Sequence, residues 1–144
     1  MSKKYIHYGS SKFDINKFNH INYKDVFPIR TIKPYGGLWA SPVDSSWNWY
    51  DWCICNDFNL KALNEYFKFE LKNDAKVLYV NSIDDIKKYY INTYGHNYID
   101  FEYILFDHYD AMEVTMNSET YHALYGWDVD SLVVFNPDCI ILEQ

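Results

Sequence analysis

The chain has 144 residues, which suits one domain spanning 1–144 that can bury a sizeable core without a metal or disulfide. Hydrophobic residues at 49% and charged residues at 23% are ordinary for a globular protein, whereas 20% aromatic residues is high. A net charge of −7, no run of basic residues and no membrane-length apolar run exclude non-specific nucleic-acid binding and membrane spanning as first readings.

In chain order, "KYIHY" at 4–8 alternates and predicts a first strand ending at Gly9-Ser10. Residues 12–35 show little periodicity and predict a loop with at most a helical turn. "GGLWAS" predicts a second short strand whose glycines allow close backbone approach. Asp44 or Ser45 then caps a helix expected over 46–56. "YFKFEL" at 66–71 and "KVLYV" at 76–80, joined by Lys-Asn-Asp, read as an antiparallel hairpin. Ser82 to Asp85 forms a capping box and opens a helix to about Tyr94, stopped by Gly95. A further helix is expected over 98–106, a strand over 109–115, and a short helix over 118–126 between Ser118 and Gly126. "DSLVVF" at 130–135 is a β-branched strand cut by Asn136-Pro137, and "CIIL" at 139–142 is a last one. Irregular alternation of strands and helices predicts an α+β fold and disfavours a doubly wound parallel sheet. No phosphate-binding glycine loop of the common nucleotide folds occurs.

Three regions carry chemistry. His7 stands on a strand just before Gly9, where an imidazole and a backbone N–H can meet one ligand, although a lone strand histidine is more often structural. Trp47, Trp49, Tyr50 and Trp52 lie within six residues and cover more than half a helix circumference, so one ring at least should meet solvent or a planar ligand. Asp128, Asp130 and Ser131 sit at the mouth of the "SLVVF" strand, where a carboxylate can stabilise positive charge developing on a sugar. Cys53, Cys55 and Cys139 are odd in number, and no secretory segment is apparent; this points to reduced thiols in the cytoplasm. None has zinc-site spacing, and Asp107, His108 and Asp110 lack further ligand pairing, so no metal is expected.

The ordered set "IHYGS", "GGLWAS", the aromatic helix, "HYDAMEV" and "DSLVVFNPDCI" resembles the ADP-ribosyltransferase superfamily, in its His-Tyr-Glu branch and among its small phage or prophage members. The match covers both ends of the chain and little of 54–105. The resemblance implies a split pair of small, mostly antiparallel sheets with flanking helices. It also implies NAD as substrate and transfer of ADP-ribose to a macromolecular acceptor in the bacterial host cytoplasm, as a phage or toxin-type effector. Protein is the favoured acceptor, because the acidic charge disfavours nucleic acid. Carried over residue by residue, His7, Tyr8, Gly9 and Ser10 would hold the nicotinamide ribose and amide, with Trp39 and Ser41 from the second strand beside them. Tyr50, or Trp47 or Trp49 beside it, would stack on nicotinamide; Asp130, or else Asp128 or Glu113, would supply the acid. Catalysis would rest on His7, Tyr50 and Asp130. Two departures stand out: Tyr8 separates His7 from Gly9, and Ser131 occupies the family's glutamate position. The alternative expectation is therefore an inactive relative, or an unrelated α+β module, that grips a protein through its tryptophan surface.

Overall fold

The computed structural model describes residues 3–21, 32–93 and 95–143. In chain order its strands are β1 (Lys4–Tyr8), β2 (Leu38–Pro42), β3 (Tyr66–Leu71), β4 (Val77–Val80), β5 (Tyr90–Thr93), β6 (His96–Ile99), β7 (Ala111–Val114), β8 (Ser131–Val134) and β9 (Ile140–Leu142). The helices are α1 (Trp49–Asn56), α2 (Ile83–Ile86), α3 (Phe101–Phe106) and α4 (Ser118–Ala123), with short 3-10 turns at Ile15–Lys17, Leu60–Asn64 and Pro137–Cys139. The fold is mixed α+β. Seven strands form one sheet in the order β4-β7-β8-β2-β1-β3-β9, and β5-β6 is a separate hairpin. All pairings are antiparallel except β4–β7.

Alternation sorts side chains onto two faces. On one face Val80, Met112, Val114 and Val133 pack under Ile86 of α2, Phe101 and Ile104 of α3, Ala123 of α4 and Ile99 of the hairpin. On the other, Tyr5, Ala40, Phe69, Leu132 and Val134 join Cys139 beside the 3-10 turn. β7 and β8 are buried on both faces, as their central places require. The first-face helices thus cover the β4–β7–β8 half of the sheet.

Several expected elements are corrected. The seven strands are joined at the middle by only two residue pairs, between β1 and β2, and β5-β6 stands apart as a small second sheet. β3 and β4 do not pair: β3 lies between β1 and β9, and β4 beside β7. Lys-Asn-Asp favours a local turn, whereas apolar partners more distant in the chain decide the pairing. α1 starts three residues late, because Asn48 and not Asp44 or Ser45 accepts the helix N–H, in a capping box with Asp51. Ser45 instead accepts the Trp47 N–H at 3.1 Å, holding a turn. The Ser82–Asp85 box is present, but α2 lasts four residues and the chain turns into β5-β6. Tyr90, Ile91 and Tyr98, Ile99 prefer a pleated surface, and Gly95, at φ +74°, serves as a hairpin turn. The helix expected from 98 starts at Phe101, and α4 is capped by Asn117, not Ser118. Of the loop expected over 12–35, residues 22–31 lie outside the described residues, as does Tyr94.

Candidate functional site

β1 and β2 pair only at Tyr5↔Pro42 and Ile6↔Ser41. β1 runs on along β3 to Tyr8↔Tyr66, while β2 runs along β8 from Ala40↔Leu132 to Leu38↔Val134. The strands therefore part beyond Ile6. His7 bridges the gap, its Nδ1 2.6 Å from the Trp39 carbonyl oxygen. A carbonyl only accepts, so Nδ1 carries the proton and the neutral ring keeps Nε2 as an acceptor. Burial holds the His7 pKa below its ordinary value, against the carbonyl bond, which raises it. The ring also packs on Phe67, centroids 5.1 Å apart.

A cleft of about 320 Å³ opens on the first face at this gap. Ile6, Tyr8, Trp39, Ser41 and Ser131 form its floor, being on alternate positions of β1, β2 and β8. Trp49 of α1 and Asn59 make one wall; Trp127, Asp128 and Val129 make the other. Trp49 is fixed at the helix start by its N–H to Ser41 Oγ, 3.1 Å. Trp39 and Trp127 meet at 4.9 Å between centroids, and the Lys33 ammonium lies 5.8 Å from the Trp39 ring centre. Ser131 Oγ is turned to the Val129 carbonyl at 2.8 Å.

The three candidate acids occupy different places. Asp128 lines the cleft, and its carboxylate makes no hydrogen bond or ion pair among the described residues; only its carbonyl is used, by Trp47 Nε1 at 3.1 Å. Asp130 has both oxygens occupied, by Ser45 Oγ at 2.7 Å and by the Met116 N–H at 2.7 Å. The strand begins at Ser131, so the shared orientation that an earlier start would give the two aspartates does not arise. Glu113 lies on the opposite face, 4% exposed, and accepts from Lys3 Nζ and Tyr5 Oη. Burial and the Glu113 carboxylate together push the Tyr5 pKa well up.

Of the residues singled out in the sequence, His7, Tyr8, Trp39, Ser41, Trp49, Asp128 and Ser131 come together in the cleft. Tyr50 does not line it: the ring is exposed and packs against Tyr8 at 5.8 Å. Trp47 is held outside by its bond to Asp128. Trp52 stacks on Trp49 at 5.0 Å, with Phe58 edge-on to both. Ser10 bonds to the Lys12 carbonyl at 2.7 Å and lines a second cavity, of about 670 Å³, with Phe13, Phe18 and Phe67; His7 borders both cavities. Gly9, at φ +109° with open space where a Cβ would sit, serves the turn that ends β1. The Gly36-Gly37 pair makes room for the protein's own backbone: a Cβ on Gly36 would meet the His20 carbonyl oxygen at 2.5 Å, and one on Gly37 would meet Val133 Cγ2 at 2.7 Å.

Sequence reasoning missed Trp127, Lys33 and Asn59. Trp127 had a signal, a lone large ring after Gly126 and beside two acids, but no periodicity marked it. Among the described residues no three His, Cys, Asp or Glu side chains group to hold a metal, and no helix is long and apolar enough to cross a membrane. Comparison with protein-family models, curated proteins and solved structures found no match.

Proposed function

We propose that the cleft binds NAD and that the protein transfers ADP-ribose from it to a macromolecular acceptor. Supporting this reading is one arrangement: His7, the rings of Trp39 and Trp49, and the unpaired Asp128 carboxylate converge where β1 and β2 separate. The fold would be of ADP-ribosyltransferase type, with the sheet opened at a two-pair join. A volume of about 320 Å³ suits the nicotinamide and its ribose better than the whole dinucleotide.

Each residue then has a physical task. Trp49 or Trp39 offers a face to the planar nicotinamide, a contact worth roughly 1–3 kcal/mol per ring. His7 Nε2 accepts a ribose hydroxyl. When the C1′–N bond breaks, its electron pair leaves with neutral nicotinamide and positive charge develops on the ribose. Asp128, without a competing partner, stabilises that charge. The acceptor's nucleophile then bonds to C1′ and releases its proton to a carboxylate or solvent.

Calorimetric titration with NAD, together with label transfer from tagged NAD in a bacterial lysate, tests the reading. Binding with transfer is expected; neither binding nor transfer would overturn it. A second reading has its own observations: Asp130 is fully engaged and Ser131 stands where the family has glutamate, which favours a relative that binds NAD without transferring it. Saturable binding with no labelled product would select that one.

A further inference from the structure

The cavity of about 670 Å³ on the far side of His7 has no part in the proposed reaction. Alternation sets it on the opposite face of the sheet from the cleft. Leu38 and Phe67 line it and pack with Tyr5 and Phe69, whereas Ile6, Tyr8, Trp39 and Ser41 line the cleft. His7 stands between the two, its ring on Phe67 and its Nδ1 bonded to the Trp39 carbonyl oxygen. A molecule seated in the cleft therefore meets protein, and not open space, in the direction of the second cavity. The segment that follows β1, residues 10–19, forms most of the remaining wall. The volume is in the range of small-molecule sites.

Rings and hydrogen-bond donors share the lining. Phe13 and Phe67 lie 6.1 Å apart between centroids, and Phe18 adds a third ring. The Lys12 and Lys17 ammonium groups make no hydrogen bond or ion pair among the described residues, nor do the Ser11 hydroxyl and the Asn19 amide. One carboxylate stands against them, that of Asp14, and its Oδ1 accepts the Asn16 N–H at 3.0 Å to cap the 3-10 turn. Glu65, two residues before Phe67, is exposed and outside the lining. Two lysines against one aspartate leave this cavity positive in a chain whose net charge is −7. Unpaired ammonium groups call for anionic oxygens, and the rings for a flat apolar group. Two cations and two neutral donors match the three oxygens and near-double charge of a phosphate monoester better than the single charge of a carboxylate.

We propose that the second cavity is a separate site for a small phosphate monoester that carries a flat ring, of the nucleoside monophosphate class. The proposal goes beyond the reading of the cleft and does not rest on it. Calorimetric titration of the full chain with AMP, beside adenosine and inorganic phosphate, is the test. AMP should bind about tenfold more tightly than either of the others, and more weakly as salt rises. Lys12→Ala and Lys17→Ala change exposed side chains and should each cost about threefold in AMP affinity. Phe13→Ala should cost about tenfold, the scale of one stacked ring. Trp49→Ala, in the cleft, should leave AMP affinity unchanged. No AMP binding, adenosine binding as tight as AMP, or full AMP affinity in both lysine variants would overturn the proposal. AMP affinity lost in Trp49→Ala and kept in the lysine variants would put the nucleotide in the cleft and overturn it too. AMP binding that follows the lysines and Phe13, in a protein that transfers no ADP-ribose, would uphold this site and remove only the reading of the cleft.

Discussion

His7 Nδ1 donates to the Trp39 carbonyl across the gap where β1 and β2 cease to pair, at 2.6 Å. One side chain thus replaces a missing ladder contact and at the same time fixes its own tautomer.

The burial of His7, which outweighs that bond, gives a pH dependence with a definite sign. Burial lowers the His7 pKa in the folded protein, so between the folded value and the ordinary value near 6.5 the unfolded chain binds more protons. Stability from the neutral ring is complete above that ordinary value. It falls as pH drops through it and is lost below the folded pKa. Urea midpoints measured from neutral to mildly acid pH should fall, and His7→Gln should flatten that part of the curve; an unchanged curve would show that His7 contributes nothing.

Asp128 and Asp130 should separate function from stability. Asp128→Asn should leave the thermal midpoint within error and, on the proposed reading, reduce ADP-ribosyl transfer by about 100-fold, the scale of losing one electrostatic stabiliser. Asp130→Ala strands the Ser45 hydroxyl and the Met116 N–H, costing about 1–3 kcal/mol and roughly 3–10 °C in melting temperature. Melting curves and label transfer on both variants check the pair; the reverse pattern would exchange their roles.

Gly37→Ala should destabilise by about 1–3 kcal/mol. The position has φ +78°, and the added methyl meets Val133 Cγ2 at 2.7 Å and the Val134 carbonyl oxygen at 3.0 Å. Gly9→Ala has the same kind of backbone cost without the contact, so it should lose less. Denaturant melts of the two variants give the difference directly.

The three thiols should label in a set order. Cys55 is exposed, Cys53 is buried with its pKa raised by burial, and Cys139 is buried and pushed up to about 11 by burial and then by Asp110. Maleimide followed by peptide mass spectrometry should modify Cys55 first and Cys139 only on unfolding. Early labelling of Cys139 would mean that the edge at β9 opens in the native state.

Local pattern carried the strands well. "KYIHY" and "YFKFEL" give β1 and β3 with their observed ends, because alternation records which face of a strand is buried. It does not record the partner, and so β3 and β4 were joined across "KND" although β3 pairs with β1 and β9. The stretch 88–99 failed for a related reason: a sound capping box suggested a long helix, while Tyr90, Ile91, Tyr98 and Ile99 around Gly95 already favoured a hairpin. In the site, His7, Trp39, Trp49 and Asp128 were legible as residue types suited to the chemistry. The choice of Trp49 over Tyr50, and of Asp128 over Asp130, was not. It depends on a helix that starts at Trp49 and a strand that starts at Ser131, and such boundaries are set by caps and tertiary bonds.

The sheet order also dictates when the cleft can come into being. Its floor needs β8 beside β2, a pairing of residues 38–40 with 132–134, and one wall comes from Trp127 to Val129. A ribosome-bound chain lacking that last stretch would present the aromatic α1 region with no opposing wall. Contacts this distant in sequence form slowly, so the cleft is absent from any fragment that stops before residue 127.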